Sequence, residues 1–247
     1  MHEITRVRHE LVRRRLEVLR VEDVTPAMRR IWLGGDELDG FTSLGADDHV
    51  KIFVAGPDGE PERRDYTPRR YDPQSRELAL DFAIHEAGPA TAWALGAQPG
   101  DDLEIAGPRG SQVVPTDFDW WLLIGDETAL PAIGRRIEEL PGGTPVISLA
   151  AVAGAEERQD FVTRAKHAAH WVYRPAEQAS DPAPLLDALA GITLPEGDGY
   201  IWIAAEANVA RALRNYVLST LQHPAQWLKA GGYWVKGRAD AHEKFES

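Results

Sequence analysis

The sequence predicts an antiparallel β-barrel followed by an α/β domain with a parallel sheet. The chain has 247 residues, enough for two domains that each bury their own core. In its first half, short apolar runs alternate with turn residues, which is typical of an antiparallel barrel or sandwich. After Pro115, uniformly apolar strands alternate with helices, which indicates a parallel sheet covered on both faces. We therefore predict domains at residues 1–116 and 117–247.

The first domain shows five strand-like runs before a short helix. The runs are "RRLEVLRVEDV", "MRRIWLGG", the apolar part of "DDHVKIFVAGPDGE", and two strands of "RDYTPRRYDPQSRELALDFAIH" joined by "YDPQSR". Pro68 indicates that its strand lies at an edge or is bulged. "EAGPATAWALGAQPGD" predicts a helix that ends near Gly96, and "DDLEIAGPRGS" predicts one closing strand.

The second domain alternates strands and helices. The predicted strands are "DWWLLIG", "TPVISLAAVAG", "HWVYR" and "GYIWIAAE", and the predicted helices are "ETALPAIGRRIEEL", "PAPLLDALAGI" and "ANVARALRNYVLSTLQ". In the first of these helices the apolar side carries Leu130, Ile133 and Ile137. Ligands of such sheets bind at the carboxyl ends of the strands. Two of those ends carry polar residues: Gly125 to Thr128, and Ala205-Glu206.

Composition excludes several kinds of site. The chain has no cysteine, so it has neither disulfides nor thiolate-held metals or iron–sulfur clusters. His167 and His170 lack an accompanying carboxylate motif, and we predict no metal site. A net charge of -12 argues against a nucleic-acid partner. The arginine-rich start and the lack of a membrane-length apolar run predict a cytoplasmic protein with no membrane partner.

The stretch "RRDYTPRRYD" concentrates positive charge in this acidic chain, with Arg63, Arg64, Arg69 and Arg70 around Tyr66. Alternation along a strand places Arg64 and Tyr66 on one face, where a guanidinium can grip a phosphate beside an aromatic ring. Alternation adds Arg70 to that face unless a bulge at Pro68 reverses it. A solvated hairpin face explains the charges equally well.

Two further segments are suited to anions in different degrees. In "HEAGPATAWA", Gly88 leaves backbone N–H groups exposed at the start of a helix, and Thr91 adds a hydroxyl, so the segment could bind an anion. An ordinary helix start with Pro89 in its first turn explains these residues as well. In "GDET", the acidic pair should repel a pyrophosphate, and a capped helix explains these residues too.

Five motifs, in this order and spacing, resemble the siderophore-interacting protein family of flavin-dependent ferric-siderophore reductases. They are "RRDYTPRRYD", "DFAIHEAGPATAWA", "GPRGS", "GDETALPAI" and "GGYWVKG". The resemblance extends from about Leu16 to Gly237. It implies a ferredoxin-reductase-like fold, with an FAD-binding barrel before an NAD(P)H-binding α/β domain. It also implies hydride transfer from NADPH or NADH to the flavin, then single-electron transfer to a ferric siderophore and release of Fe(II).

The resemblance also implies the site residues, with no catalytic group beyond the flavin. Arg64 would meet the pyrophosphate, Tyr66 the isoalloxazine and Thr67 the flavin N5. The full set of FAD-binding residues is Arg64, Tyr66, Thr67, Arg69, His85, Gly88, Ala90, Thr91 and Trp93. The nucleotide-binding residues are Gly125, Asp126, Thr128, Arg158, Ala205 and Glu206, and the residues for an anionic chelate are Lys51, Arg109 and Lys236.

Some alternatives stay open at this point. Arg158 suits a 2′-phosphate, whereas the neighbouring Glu156 and Glu157 suit a plain ribose. Glu206 is equally explained as a helix N-terminal charge. Alternative functions are a ferredoxin-dependent or general flavin reductase and a non-catalytic flavin- or siderophore-binding module. The siderophore, the preferred donor, the oligomeric state and the roles of Arg63 and Arg70 are not predicted.

Overall fold

The computed structural model describes residues 2–56, 58–84, 88–238 and 243–245. The chain divides into two compact units. The first comprises Met1–Pro115 with Gly134–Arg136, and the second comprises Thr116–Ile133 with Ile137–Ser247.

Over its described residues, the first unit contains an antiparallel seven-stranded sheet, a two-stranded sheet and one α-helix. Its elements are β1 (Thr5–Arg8), β2 (Arg13–Thr25), β3 (Met28–Gly34), β4 (Val50–Ala55), β5 (Pro61–Tyr66), β6 (Pro68–Asp72), β7 (Glu77–Ala83), α1 (Pro89–Gly96), β8 (Asp102–Ala106) and β9 (Gly110–Val113). The large sheet has the order β5-β4-β8-β2-β3-β7-β6, and β1 pairs with β9. The predicted barrel architecture is confirmed.

Alternation along the strands builds the core of this unit. In β2, Leu16 and Val18 are fully buried, whereas the charged residues between and beside them are exposed. Apolar side chains from β3, β4, β7 and β8 join the same cluster, together with Ala90 and Ala94 of α1. Burial of this apolar face is the main stabilising contribution to the sheet.

The segment around Pro68 differs from the predicted single strand. The chain leaves β5 after Tyr66 and enters β6 at Pro68, and these two strands are at opposite ends of the sheet order. Proline cannot donate to a ladder, which favours a break there. A register shift between Pro68 and Arg70 then buries Arg69 and exposes Arg70, so simple alternation is wrong for Arg70.

Two other boundaries in this unit were also predicted incorrectly. "DDLEIAGPRGS" forms β8 and the start of β9, which are separated at Gly107-Pro108. Strand β1, "TRVR", was missed because its residues are all exposed and two of its four are arginines. It is held by its pairing with β9.

The part of the second unit that the structure describes forms a six-stranded sheet with three α-helices. Its elements are β10 (Trp120–Gly125), α2 (Leu130–Glu139), β11 (Pro145–Val152), β12 (Lys166–Tyr173), α3 (Ala183–Ala190), β13 (Gly199–Glu206), α4 (Ala207–Ser219), β14 (Leu228–Trp234) and β15 (Glu243–Lys244). The order is β12-β11-β10-β13-β14-β15, and every pairing is parallel except that of β15. The predicted α/β sheet is confirmed.

Helix and strand positions in this unit follow the apolar pattern. Strands β10 and β13 are buried along their whole length, as expected for central parallel strands. The predicted apolar side of α2 is buried at Leu130, Ile133 and Ile137. Among the residues that the structure describes, no helix is both long and apolar enough to cross a bilayer.

Candidate functional site

Arg64 and Tyr66 lie on one face of β5, as alternation predicts. Both are half-buried, whereas Arg63 and Asp65 between and beside them are exposed. The Arg64 guanidinium donates through Nη2 to Glu62 Oε2 and through Nη1 to the Arg63 carbonyl at 2.8 Å. A phosphate that reaches Arg64 would therefore replace the carboxylate of Glu62 as its partner.

An aromatic cluster connects β5 to the helix that follows the Gly88 loop. The ring centroids of Tyr66 and Phe82 are 4.3 Å apart, and those of Phe82 and Trp93 are 5.6 Å apart. Phe82 lies on β7 and Trp93 on α1. The cluster thus brings the Arg-x-Tyr segment and the α1 segment, two of the predicted flavin motifs, to the same part of the first unit. Burial raises the pKa of Tyr66, with Arg64 opposing, so its phenol stays protonated at neutral pH.

The N-terminus of α1 is open to an anion. Gly88 precedes it in an extended conformation, and no described side chain caps the helix. Among the described residues, none would lie within 4 Å of a Cβ atom at Gly88, and its backbone conformation is open to any residue. Ala90 and Thr91 supply first-turn amides beside that space. These residues fit a bound pyrophosphate. His85, also predicted here, lies outside the described residues.

Arg69 and Thr67 are buried, with 5% and 7% of their surfaces exposed. The Arg69 Nε atom lies 3.8 Å from Asp81 Oδ2, and Arg30 donates to both oxygens of Asp81 at 2.6 and 2.8 Å. Asp81, on β7, therefore connects two arginines from the strands on either side of it, Arg30 on β3 and Arg69 on β6. The structure gives Arg69 an internal ionic partner, and its contact with a phosphate stays a prediction.

Lys51 and Arg109, two predicted chelate-binding cations, differ in their surroundings. Lys51 Nζ donates to Asp65 Oδ1 at 2.8 Å, and the two residues face each other in the β4–β5 ladder. Arg109 is exposed, and its guanidinium has no ion pair within the part of the chain that the structure describes. Ala106, shortly before Arg109, lies opposite Lys51 across the β4–β8 ladder.

The loop that carries Arg109 is held by the N-terminal strand. The backbone N–H of His9 donates to the Arg109 carbonyl at 2.9 Å. His9 Nε2 lies 2.7 Å from Ser111 Oγ, which donates to the buried Asp48 carboxylate at 2.6 Å. Gly110 is required, because a Cβ there would lie 2.6 Å from the Val7 carbonyl oxygen.

In the second unit, Asp126 is a buried acceptor with 1% of its surface exposed. Its Oδ1 accepts from the backbone N–H and the hydroxyl of Thr128, at 3.0 and 2.6 Å. Its Oδ2 accepts from the Glu206 N–H at 2.9 Å and from the Trp234 indole at 2.8 Å. Asp126 therefore ties together the carboxyl ends of β10, β13 and β14.

Glu127, the second acid of "GDET", pairs with Arg174. The two carboxylate oxygens accept from Arg174 at 3.0 and 2.8 Å. Burial raises the pKa of Glu127, the Asp126 carboxylate adds to this, and Arg174 opposes both. Sequence reasoning missed Arg174. It directly follows β12, at the same edge of the sheet as Gly125, and that position was the available signal.

Glu206 caps α4. Its Oε2 accepts from the N–H groups of Asn208 and Val209 at 2.7 and 3.4 Å, and its Oε1 accepts from the Lys236 N–H at 3.3 Å. These contacts agree with the interpretation of Glu206 as a charge at the N-terminus of a helix. The Lys236 ammonium donates to the Glu177 carbonyl at 2.6 Å.

The remaining residues that were predicted to bind the nucleotide lie at the same edge or follow β11. Gly125 permits close packing, because a Cβ there would lie 2.6 Å from the Ala204 carbonyl oxygen. Ala205 is fully buried at the end of β13. Arg158 is exposed beyond β11, and its Nε donates to the Ala155 carbonyl at 3.3 Å. Glu157 is 6% exposed, so Glu156 is the neighbouring acid on the surface.

Known proteins resemble this chain over nearly its whole length. A solved siderophore utilization protein from T. fusca has 34% identity and a TM-score of 0.91, and the match covers 97% of this chain and 98% of that one. The NADPH-dependent ferric-chelate reductase of Escherichia coli is 39% identical over 93% of this chain and 95% of the relative. The ferric vibriobactin reductase ViuB of Vibrio cholerae is 28% identical over 91% and 90%.

Two family models match the two units. A model described as the siderophore-interacting FAD-binding domain matches residues 17–63 and 55–112, which confirms the predicted FAD-binding character of the first unit. A model described as siderophore-interacting protein matches residues 118–237. Since both models and the relatives agree with the five sequence motifs, the chain belongs to the siderophore-interacting protein family.

Proposed function

We propose that this chain is an FAD-dependent ferric-siderophore reductase that draws on NAD(P)H and releases iron as Fe(II). The observation that supports the proposal is the Tyr66–Phe82–Trp93 cluster, which connects the strand of Arg64 through Phe82 to α1, the helix whose N-terminus follows Gly88. The names of the Escherichia coli and Vibrio cholerae relatives support the reductase activity.

The first unit supplies the residues that would hold FAD. Arg64 and the first-turn amides of α1 would bind the phosphates, because both provide donors to a buried or half-buried anion. Tyr66 and Thr67 would meet the flavin ring. When bound, FAD supplies the conversion of a two-electron hydride donor into the one-electron reductant that Fe(III) requires. The protein's own residues bind and orient the two substrates.

The carboxyl edge of the second unit would receive the nicotinamide nucleotide. The negative charge of "GDET" would oppose a phosphate less than the sequence alone suggests, because Asp126 accepts hydrogen bonds from within the fold and Glu127 pairs with Arg174. Gly125 and Thr128 belong to this loop, and Arg158 is the residue we assign to a 2′-phosphate.

The ferric chelate would be gathered by positive charge. Lys51 and Arg109 lie in the first unit, and Lys236 lies in the second. Each can attract an anionic ligand from solution and hold it by charge-assisted hydrogen bonds. Fe(II) binds hard oxygen ligands more weakly than Fe(III), so reduction itself releases the iron, and no protein ligand to the metal is needed.

The proposal is tested by anaerobic bleaching. The purified protein is loaded with FAD, titrated with NADPH or NADH while the flavin absorbance is followed, and then mixed with a ferric chelate. We expect bleaching by nucleotide and recovery of colour with the chelate. A protein that takes up no FAD contradicts the proposal. Flavin that neither nucleotide bleaches, but that reduced ferredoxin does, assigns the donor role to ferredoxin.

A further inference from the structure

Asp65 and Lys51 form an ion pair across two neighbouring strands. They are opposite each other in the β4–β5 register, and Lys51 Nζ lies 2.8 Å from Asp65 Oδ1. Both side chains are partly open to solvent, at 29% and 30%. Asp65 lies between Arg64 and Tyr66 in the sequence, and its side chain lies on the opposite face of β5 from theirs.

The other neighbours of Lys51 do not compete for its charge. Across the β8 side the opposite residue is Ala106, and the next outward residue of β4 is Phe53. Phe53 is covered by the Arg13 guanidinium at 4.3 Å, which in turn pairs with Glu104 at 2.7 Å. Within the part of the chain that the structure describes, Asp65 is the carboxylate that pairs with Lys51.

A partly exposed ion pair contributes little to stability, so the pairing of β4 with β5 gains little from the Asp65 carboxylate. The carboxylate has a larger effect on the binding of an incoming ligand. An anionic chelate that approaches Lys51 meets an ammonium whose field is largely cancelled by the adjacent carboxylate. A chelate without net charge is indifferent to that cancellation.

We propose that Asp65 is a specificity-determining residue that disfavours highly anionic ferric chelates by neutralising Lys51. The inference rests on the proposed function, in which Lys51 contacts the chelate. It predicts a preference by charge: ferric chelates of low net charge are accepted, and strongly anionic chelates are bound more weakly than Lys51 alone would allow.

The test compares Asp65→Asn with the unchanged full-length holoprotein on two probes, a triply anionic ferric tris-catecholate and an uncharged ferric tris-hydroxamate. We expect Asp65→Asn to lower the KM for the catecholate by about 3- to 10-fold at low salt, less at high salt. The KM for the hydroxamate and the rate of flavin reduction by nucleotide should not change. Thermal unfolding checks that the variant is folded.

Asp102→Asn is the matched control. Asp102 also pairs with an arginine on the same sheet, with 2.6 Å between Arg15 Nη2 and Asp102 Oδ2, and its loss changes the net charge equally. An equal drop in KM in Asp102→Asn would assign the effect to overall charge and overturn the inference. An unchanged catecholate KM in Asp65→Asn would also overturn it.

Lys51→Ala separates this inference from the function on which it rests. A raised catecholate KM in Lys51→Ala, with no effect of Asp65→Asn, overturns the role of Asp65 alone. An unchanged KM in Lys51→Ala overturns the proposed role of Lys51 and, with it, that of Asp65. The anaerobic bleaching result stands apart from both outcomes.

Discussion

Glu127 and Arg174 form a two-point ion pair at the carboxyl edge of the parallel sheet, with oxygen–nitrogen distances of 3.0 and 2.8 Å. The pair connects residues that are far apart in sequence and gives the acidic loop after β10 a compensating charge. The loop therefore presents less negative charge to a nucleotide than its sequence indicates, which weakens the electrostatic repulsion expected of its two acids.

Replacement of Arg64 should weaken FAD binding. Arg64→Ala removes a charge-assisted contact to phosphate, which should cost about 1.5–3 kcal/mol of binding free energy. Titration of the apoprotein with FAD, followed by flavin fluorescence, measures the loss. Arg63→Ala is the matched control, because Arg63 is exposed on the other face of β5 and should leave the affinity unchanged. Equal affinity in both variants would place Arg64 outside the cofactor site.

Gly88→Ala should separate binding from folding. Among the described residues nothing lies within 4 Å of a Cβ at Gly88, and its φ is -100°, so stability should change by less than about 1 kcal/mol. FAD affinity should fall, because the methyl group would occupy space beside the α1 amides. In Gly125→Ala the opposite is expected: a Cβ 2.6 Å from the Ala204 carbonyl oxygen should destabilise the second unit by about 1–3 kcal/mol. Unchanged FAD affinity in Gly88→Ala would contradict a phosphate at that loop.

Asp126→Asn should destabilise the second unit. Asp126 accepts four hydrogen bonds, two on each oxygen; asparagine keeps one acceptor oxygen, and its amide nitrogen cannot accept the two bonds on the other side. Each buried donor left unpaired costs about 1–3 kcal/mol. Denaturant unfolding followed by tryptophan fluorescence would measure the change. Thr128→Ala, which removes a single hydroxyl donor, should cost less; an equal effect would contradict the central role of Asp126.

Stability should fall in mild acid, in part through His167. Burial lowers the pKa of His167, whose Nε2 lies 2.8 Å from the buried Ser148 hydroxyl. The unfolded chain then binds the proton more readily, so this stability is complete above the unfolded pKa of about 6.5 and is lost as pH falls through the folded pKa. Thermal unfolding between about pH 7.5 and 5 should show a steeper loss in the natural chain than in His167→Gln. His223, whose pKa burial also lowers, keeps part of the slope in that variant. Parallel curves would contradict a contribution from His167.

The sequence predicts the fold well where burial alone determines the element. Strands such as β10 and β13 are apolar throughout, and β2 alternates clearly, so their structure follows from local pattern. The break after Tyr66 and the burial of Arg69 could not be predicted, because they depend on which distant strands β5 and β6 join. Strand β1 carries no apolar pattern, and it forms because it pairs with β9.

The candidate site was predicted by motif, whereas its electrostatics were not. Arg64 and Tyr66 share a face, as alternation requires. The partners of the two acids could not be predicted from the sequence, because they are distant along the chain: Glu127 pairs with Arg174, and Asp126 accepts a hydrogen bond from Trp234. In a sequence, a carboxylate beside a glycine predicts that the loop repels an anion. The hydrogen-bond donors and cations that the fold brings to that carboxylate can weaken the repulsion.

The contact of β1 with Gly110 joins a segment outside the span that the family model matches to a loop inside that span. The FAD-binding family model begins at residue 17, after β1 and His9. Yet the His9 N–H donates a hydrogen bond to the Arg109 carbonyl, and Gly110 packs so closely on the Val7 backbone that a Cβ would clash. A chain trimmed to start at residue 17 would retain the whole matched span and lose the support beneath Arg109. The segment that the family model matches and the segment that supports the Arg109 loop thus begin at different residues of this chain.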